Sequence, residues 1–226
     1  MERAVATAVP DVVFHLAGAA HVGQSFSSVA DTLEINALGT ARLLDALRVH
    51  APRARVLVVS SAAVYRASSS ALDEEAPLGP ASPYGLSKLA AQRLAPRAWQ
   101  EDGLHTVIAR AFNHAGPRQS PAFVLSSFAS QLAAIERGAR QPIMRVGNLD
   151  ACRDLTDVRD VVAAYQLLVR HGRPGTAYNV FSGSAFAIGD LLQSLIPSAR
   201  VPVTVHGRHG LAARASRRSD DGRRAR

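Results

Sequence analysis

The stretch "SPYGLSKLAAQ", residues 82–92, holds the one lysine of a 226-residue chain whose other 25 Lys/Arg positions are arginine (26 − 1). Ser82 is a good helix N-cap and Pro83 suits the first turn, so the spacing predicts a helix over 82–103. Pro96 is expected to bend that helix or end it early, because proline lacks the N–H and crowds the preceding turn. On such a helix Tyr84 and Lys88 stand i, i+4 and share a face. The flanking text is strand-like. "RVLVVSS", 55–61, is a β-branched run ending in serines, and "HTVIARAF", 105–112, is a second apolar run. Strand, helix and strand in this order imply a parallel pair with a right-handed crossover.

The same alternation continues outward. "DVVFHLAG", 11–18, reads as a buried parallel strand, and 29–50 carries helical apolar spacing at Leu33, Ala37, Leu43, Leu44 and Leu47. Helices are expected at 123–138, closed by Gly138, and at 156–172, capped by Thr156 and closed by Gly172. A strand at 176–183 and a short helix at 187–196 complete the run. The fold class is α/β, a doubly wound parallel sheet of Rossmann type, which places ligands at the carboxyl ends of the strands. Ala17–Gly18, Ser60–Ser61 and Phe112–Asn113 lie at such ends.

Composition narrows the function. Hydrophobic residues make up 47% of the chain, enough for a core, and no apolar run has membrane-spanning length. The N-terminus lacks the pattern of a signal peptide, and the lone Cys152 fits a reducing compartment. The expectation is a soluble cytoplasmic protein with no membrane partner. Of the net charge of +8, residues 206–226 supply +5 from seven Arg and two Asp, leaving +3 for the rest. That remainder is ordinary for a small-molecule enzyme and does not call for a nucleic-acid partner. No histidines or acids show metal-ligand spacing.

The lysine then acquires a chemical reason. A phenol has a pKa near ~10, and a neighbouring ammonium lowers it, so Tyr84 is expected to exchange a proton with a hydroxyl or carbonyl near neutral pH. Ser61, at the end of the preceding strand, is expected to hold the same oxygen. A compact ammonium with three rotatable donors suits this place better than a planar guanidinium.

These residues, with "DVVFHLAGAAHVGQS", "EINALGTARLLDA", "VLVVSSAAVY", "RAFNHAGPRQSPAFV", "VGNLDACRDLTDVRDVVAAY" and "AYNVFSG" in order, resemble the extended short-chain dehydrogenases/reductases, the NAD-dependent epimerase/dehydratase family. Within it the chain looks most like the group that contains GDP-mannose 4,6-dehydratase and GDP-4-keto-6-deoxy-mannose reductase. The resemblance implies Ser61, Tyr84 and Lys88 as the catalytic triad. It implies Ala17, Gly18, Ala19 and Asn36, beside Tyr84 and Lys88, as contacts or supports for NAD or NADP. Asn113, Phe123, Val124 and Arg153 are the implied contacts to a GDP-sugar, and a homodimer is the implied assembly. His15 and Trp99 read as structural.

Where the dehydratases of this group carry a glutamate two residues before tyrosine, this chain has Ala63 in "SSAAVY". Alanine moves no proton, so the expected reaction is reduction of a GDP-4-keto-6-deoxy-hexose at C4. Dehydration or epimerisation remains the alternative, with Asp73, Glu74 or Glu75 as a substitute base. No G-x-x-G-x-x-G occurs in the sequence, and the pattern predicts that roughly two opening βα units, about 60 residues, are missing. The expected result is an exposed apolar sheet edge, and an inactive truncated remnant is a further alternative. The expected organisation is a partial cofactor domain at 1–112, a substrate-binding part with a returning helix and strand at 113–205, and a basic disordered tail at 206–226. That tail has the look of a reading-frame slip.

Overall fold

The computed structural model describes residues 1–68, 70–207 and 212–214. In chain order the regular elements are α1 (Glu2–Ala8), β1 (Val12–His15), α2 (Val22–Ser25), α3 (Val29–Leu33), a π-helical turn (Glu34–Leu38), α4 (Gly39–His50) and β2 (Arg55–Ser61). A 3-10 turn (Ala62–Val64), α5 (Pro83–Asp102), β3 (His105–Ala111), β4 (Asn113–Ala115) and α6 (Val124–Glu136) follow. The chain continues with β5 (Ile143–Val146), β6 (Cys152–Asp157), α7 (Val158–His171), β7 (Ala177–Val180), β8 (Ala185–Ala187), α8 (Ile188–Leu195), β9 (Thr204–Gly207) and β10 (Ala212–Arg214).

The chain divides into two compact units. The first holds Met1–His114 and Thr156–Ser182, so α7 and β7 return to it after an excursion; the second holds Ala115–Leu155 and Gly183–Arg226. The first unit is built on a four-stranded parallel sheet of order β1-β2-β3-β7. Successive residues of β2 and β3 face opposite sides, as a two-residue repeat requires. On one side Val56, Val58 and Ile108 pack with Leu43, Leu44 and Leu47 of α4 and Ala95 and Ala98 of α5. On the other, Leu57, Val107 and Ala109 meet Val161, Tyr165 and Val169 of α7. Each fully buried Val, Leu or Ile contributes on the order of 1.5–3 kcal/mol. β1 is one edge of the sheet, and Val12 and Phe14 on it and Leu16 just after it are exposed, as the sequence led us to expect.

In the second unit β9 pairs in parallel with β5 and antiparallel with β10, while β6 pairs antiparallel with β8. Its core joins Phe128, Leu132 and Ile135 of α6 to Met144 and Val146 of β5 and Leu192 of α8. His206 and Gly207, assigned above to the tail, end β9, and 212–214 form β10; the rest of the tail lies outside the described residues. Among the described residues no helix is long and apolar enough to cross a membrane.

Two expectations are corrected. Of the two outcomes expected at Pro96, a bend or an early end, the early end does not occur: α5 runs on to Asp102 and closes at Gly103 in the left-handed conformation (φ 70°). Tertiary packing outweighs the lost hydrogen bond: Ala91, Ala95 and Ala98 are buried, and the Thr106 hydroxyl of β3 donates to the Ala95 carbonyl at 2.6 Å, beside the proline. The expected continuous helix at 29–50 is interrupted by the π turn, which makes room for one extra residue in the register. Thr106→Val removes a buried bond at the point where α5 tolerates proline. We expect it to cost about 1–2 kcal/mol, read as a lower urea midpoint at unchanged m-value.

Candidate active site

The site is assembled where the carboxyl ends of β1 and β2 meet the first turns of α5. Ser61 is the last residue of β2, and its Oγ accepts from the Ala63 N–H at 3.2 Å, capping the 3-10 turn that follows. At the start of α5, Ser82 Oγ accepts from the Gly85 N–H at 3.1 Å, and the Tyr84 N–H donates to Ser25 Oγ of α2 at 3.1 Å. Two N–H groups of the helix start are thus satisfied by serines. Gly85 is required by closeness: a Cβ there would collide with the Ala63 carbonyl and with Pro80. The tyrosine helix and the serine turn therefore touch backbone to backbone.

Ser61 and Tyr84 meet through a side-chain hydrogen bond, and Lys88 follows Tyr84 by one turn of α5, but the electrostatics differ from expectation. Burial pushes the Tyr84 phenol above its ordinary value, and the Ser61 side chain, hydrogen-bonded to it, pulls the other way. Desolvation of the phenolate outweighs the lowering by the serine. Lys88 is itself buried, only 8% exposed, and burial lowers its pKa to about 8. Its Nζ donates to the Val59 carbonyl at 2.9 Å.

Asn36, 1% exposed, sits in the π turn and binds three segments. Its Oδ1 accepts from the Ala19 N–H at 2.8 Å; its Nδ2 donates to the Ala19 carbonyl at 3.1 Å and to Ser87 Oγ at 2.8 Å. Ser87 in turn donates to the Tyr84 carbonyl at 2.7 Å. Gly18 is small for the protein's own sake: a Cβ there would lie 2.8 Å from Asn36 Oδ1 and 3.3 Å from Lys88 Nζ. Ala17 and Gly18 are exposed beside this cluster.

A second network, which the sequence reading missed, is centred on Arg110 of β3. Buried to 6%, it donates from Nε to Gln92 Oε1 at 3.0 Å, and from Nη1 to the Tyr65 hydroxyl and the Glu74 carbonyl, both at 2.8 Å. Ser60 Oγ also donates to Gln92 Oε1, at 3.0 Å, and the Tyr65 hydroxyl donates to Asn179 Oδ1 at 2.6 Å. One guanidinium thus ties α5, the end of β2, the turn after Ser61 and the loop at 72–76 into a unit. Two of the three expected substitute bases are engaged in that loop: Glu74 Oε1 accepts from the Asn179 N–H at 2.7 Å, and Asp73 Oδ1 accepts from the Glu75 N–H at 3.1 Å. The signal for Arg110 was a charged residue inside an otherwise apolar strand.

The remaining predicted contacts lie elsewhere. Asn113 is exposed at the start of β4, and His114 Nδ1 donates to the Phe112 carbonyl at 3.0 Å. Phe123 and Val124 open α6 in the second unit, both partly exposed. Arg153, also in the second unit, is exposed on β6 opposite Phe186, with Nη1 donating to the Cys152 carbonyl at 2.7 Å. Among the described residues no group of three or more His, Cys, Asp or Glu is arranged to hold a metal ion.

Comparison with known proteins points one way. Residues 1–221 match the family described as GDP-mannose 4,6 dehydratase. The chain is 38% identical over 221 residues to the GDP-6-deoxy-D-mannose reductase of Pseudomonas aeruginosa, covering 96% of this chain and 73% of that protein. It is 32% identical over 182 residues to a GDP-mannose 4,6-dehydratase of Sinorhizobium fredii, covering 76% of this chain and 50% of the dehydratase. Among solved structures, RMD from Pseudomonas aeruginosa complexed with NADPH superposes with a TM-score of 0.84 at 39% identity, over 88% of this chain and 68% of that one.

The buried ammonium and the backbone contact at Gly85 each make a measurable claim. Gly85→Ala is expected to cost about 1–3 kcal/mol in urea unfolding, because the atom it meets is backbone. Lys88 is charged at a cost when its folded pKa is about 8 against 10.5 unperturbed. Stability therefore rises as pH climbs from about 8 towards 10.5 and the native lysine gives up its proton first. Comparing wild type with Lys88→Met across that window should show a rise of roughly 2–3 kcal/mol in the wild type alone.

Proposed function

The chain belongs to the GDP-mannose 4,6 dehydratase family, and from that premise we propose that it reduces the C4 ketone of a GDP-4-keto-6-deoxy-hexose, with NADH or NADPH as hydride donor. The observation that carries this reading is the pairing of an intact Ser61–Tyr84–Lys88 cluster with alanine at position 63. A ketone reduction needs a hydride, a proton donor and a group that holds the carbonyl oxygen. An elimination needs in addition a carboxylate beside the sugar's C5. Here the Ala63 N–H donates to Ser61 Oγ and its carbonyl packs against Gly85, and its methyl group has no acid–base chemistry. Of the three other candidates, Asp73 and Glu74 hold the 72–76 loop and Asn179, and Glu75 is exposed in the same loop.

The residues present fit the nicotinamide end of a dinucleotide. Lys88 spends one of its three donors on the Val59 carbonyl, which leaves two for a diol such as ribose. The exposed backbone of Ala17 and Gly18 borders the same space. When bound, the cofactor supplies the hydride. Ser61 donates a hydrogen bond to the ketone oxygen and stabilises the charge that grows there. Tyr84 delivers the proton, and its raised pKa keeps it protonated and ready as an acid at neutral pH. Lys88 as an ammonium favours the phenolate that remains, and the proton that Tyr84 gave up is replaced from solvent. Asn113, Phe123, Val124 and Arg153 are the proposed contacts to the GDP-sugar; a guanidinium such as Arg153 matches the geometry of a diphosphate.

The test is the purified chain with a GDP-4-keto-6-deoxy-hexose and either nicotinamide cofactor, followed by loss of reduced-nicotinamide absorbance. Turnover is expected, lowered by about 10²–10⁴-fold in Tyr84→Phe. The rate should decline as pH rises through about 8, where Lys88 loses its charge. A folded chain that binds neither cofactor and turns over no ketone would overturn this reading.

A further inference from the structure

His15 ends β1 and is buried, 8% exposed, yet the chemistry above gives it no task. Its Nε2 lies 2.9 Å from Thr40 Oγ1, and Thr40 donates its single hydroxyl proton to the Asn36 carbonyl at 2.6 Å. A hydroxyl that has spent its proton can only accept, so the His15 proton must be on Nε2. The chain then reads His15 to Thr40 to Asn36, and from the Asn36 side chain to Ala19, to Ser87 and so to the Tyr84 carbonyl. Thr40, Asn36 and Ser87 are each no more than 2% exposed. An unbroken buried hydrogen-bonded path therefore joins the end of β1 to the first turn of α5.

We propose that His15 is a positioning residue of the site: in its neutral form, with the proton on Nε2, it seats Thr40 on the π turn and thereby holds Asn36, the Ala17–Ala19 loop and the Tyr84–Lys88 helix in place for a buried ammonium. The π turn is central to this. An i+5 turn is a costly register, and it persists where surrounding groups over-determine it. Asn36 reaches both Ala19 and Ser87 from that register, and Thr40 secures the Asn36 carbonyl from the following turn. His15 must also be uncharged. Burial lowers the imidazole pKa below 6.5, and Lys88, the charged group that bears on it, adds to this; Thr40, its hydrogen-bond partner, is neutral. A second proton on His15 would set two buried cations against one another, whereas the neutral ring leaves the charge to Lys88.

The inference rests on the reading of Tyr84 and Lys88 as the reacting pair, and its test does not depend on turnover. Because Lys88 is the one lysine in the chain, protein labelled with ¹³C-lysine gives a single side-chain Cε resonance. In the wild type this resonance is expected to titrate near pH 8, with a smaller second inflection below pH 6.5 as His15 takes up its proton. His15→Gln keeps a side-chain N–H for Thr40 but cannot titrate; the main inflection should stay in place and the acid one vanish. His15→Leu removes the donor. There the main inflection should move up by about one unit, towards the ~10.4 of a solvated lysine, as the site loosens. A His15→Leu curve that superimposes on that of the wild type would overturn the proposal, even in a chain that reduces sugars well. The predicted shifts would sustain it even in a chain that reduces none.

Discussion

A single ammonium group, buried at the carboxyl ends of the strands, sets the terms for this half of the molecule. Lys88 on α5 is nearly sealed from solvent, and a charge in that position is stable only if its surroundings are arranged for it. The Val59 carbonyl accepts from it. Gly18 gives it space, because a side chain there would press on Nζ. Even so, burial draws its pKa down to about 8, which means that the protein maintains the charge at a net cost in stability. A lysine whose only task was packing would be better replaced by methionine. The use of arginine at every other basic position makes the contrast sharper, since guanidinium keeps its proton in any comparable setting.

The sheet and its helices can be understood as the means of bringing that ammonium to a phenol and a serine. β2 and β3 run parallel and in register from Arg55–His105 to Ser61–Ala111, so Ser61 ends beside the start of the β3–β4 segment. α5 crosses back over them with Ala91, Ala95 and Ala98 turned inward, small enough for the helix to lie close to the strands. Gly85 then lets the first turn of α5 rest on the Ala63 carbonyl. Arg110 secures the same arrangement from beneath, because its guanidinium binds Gln92 of α5 and Tyr65 of the serine turn at once. Its partners are all neutral oxygens, so the charge is dispersed over hydrogen bonds and the Tyr65 ring, whose centroid lies 5.0 Å away.

Much of this was legible in the sequence, because the relevant signals are local. Parallel strands announce themselves as β-branched runs, and α5 is marked by its N-cap, its proline and the tyrosine–lysine spacing. The parts that were not legible depend on contacts between distant segments. The π turn has no compositional mark; it exists because Asn36 is pulled towards Ala19 and Ser87, 17 and 51 residues away in the chain. Pro96 looked like a helix end because its local cost is real, and only the packing of α5 on β2 and β3 outweighs it. The strands of the second unit are short and lack clear alternation; β5 has four residues and β8 three. The direction of the Tyr84 shift was misjudged for a related reason. Spacing puts an ammonium one helical turn away, but does not show how far the phenol itself is removed from water, and here burial sets the direction.

The raised phenol changes how the reaction should be understood. With a depressed pKa, Tyr84 would stand partly as phenolate, and its role would begin as a base. With a raised one it is a neutral acid at the outset, which suits a reduction, where the developing alkoxide requires a proton. The ammonium then matters most after the transfer, when the phenolate it favours has formed in a site that otherwise disfavours charge. An elimination would place the opposite demand on this cluster, starting with proton removal from carbon by a carboxylate. At the corresponding turn this chain presents Ala63, held by backbone contacts to Ser61 and Gly85. The burial that raises Tyr84 and the alanine beside Ser61 are independent features, and both favour delivery of a proton over its abstraction.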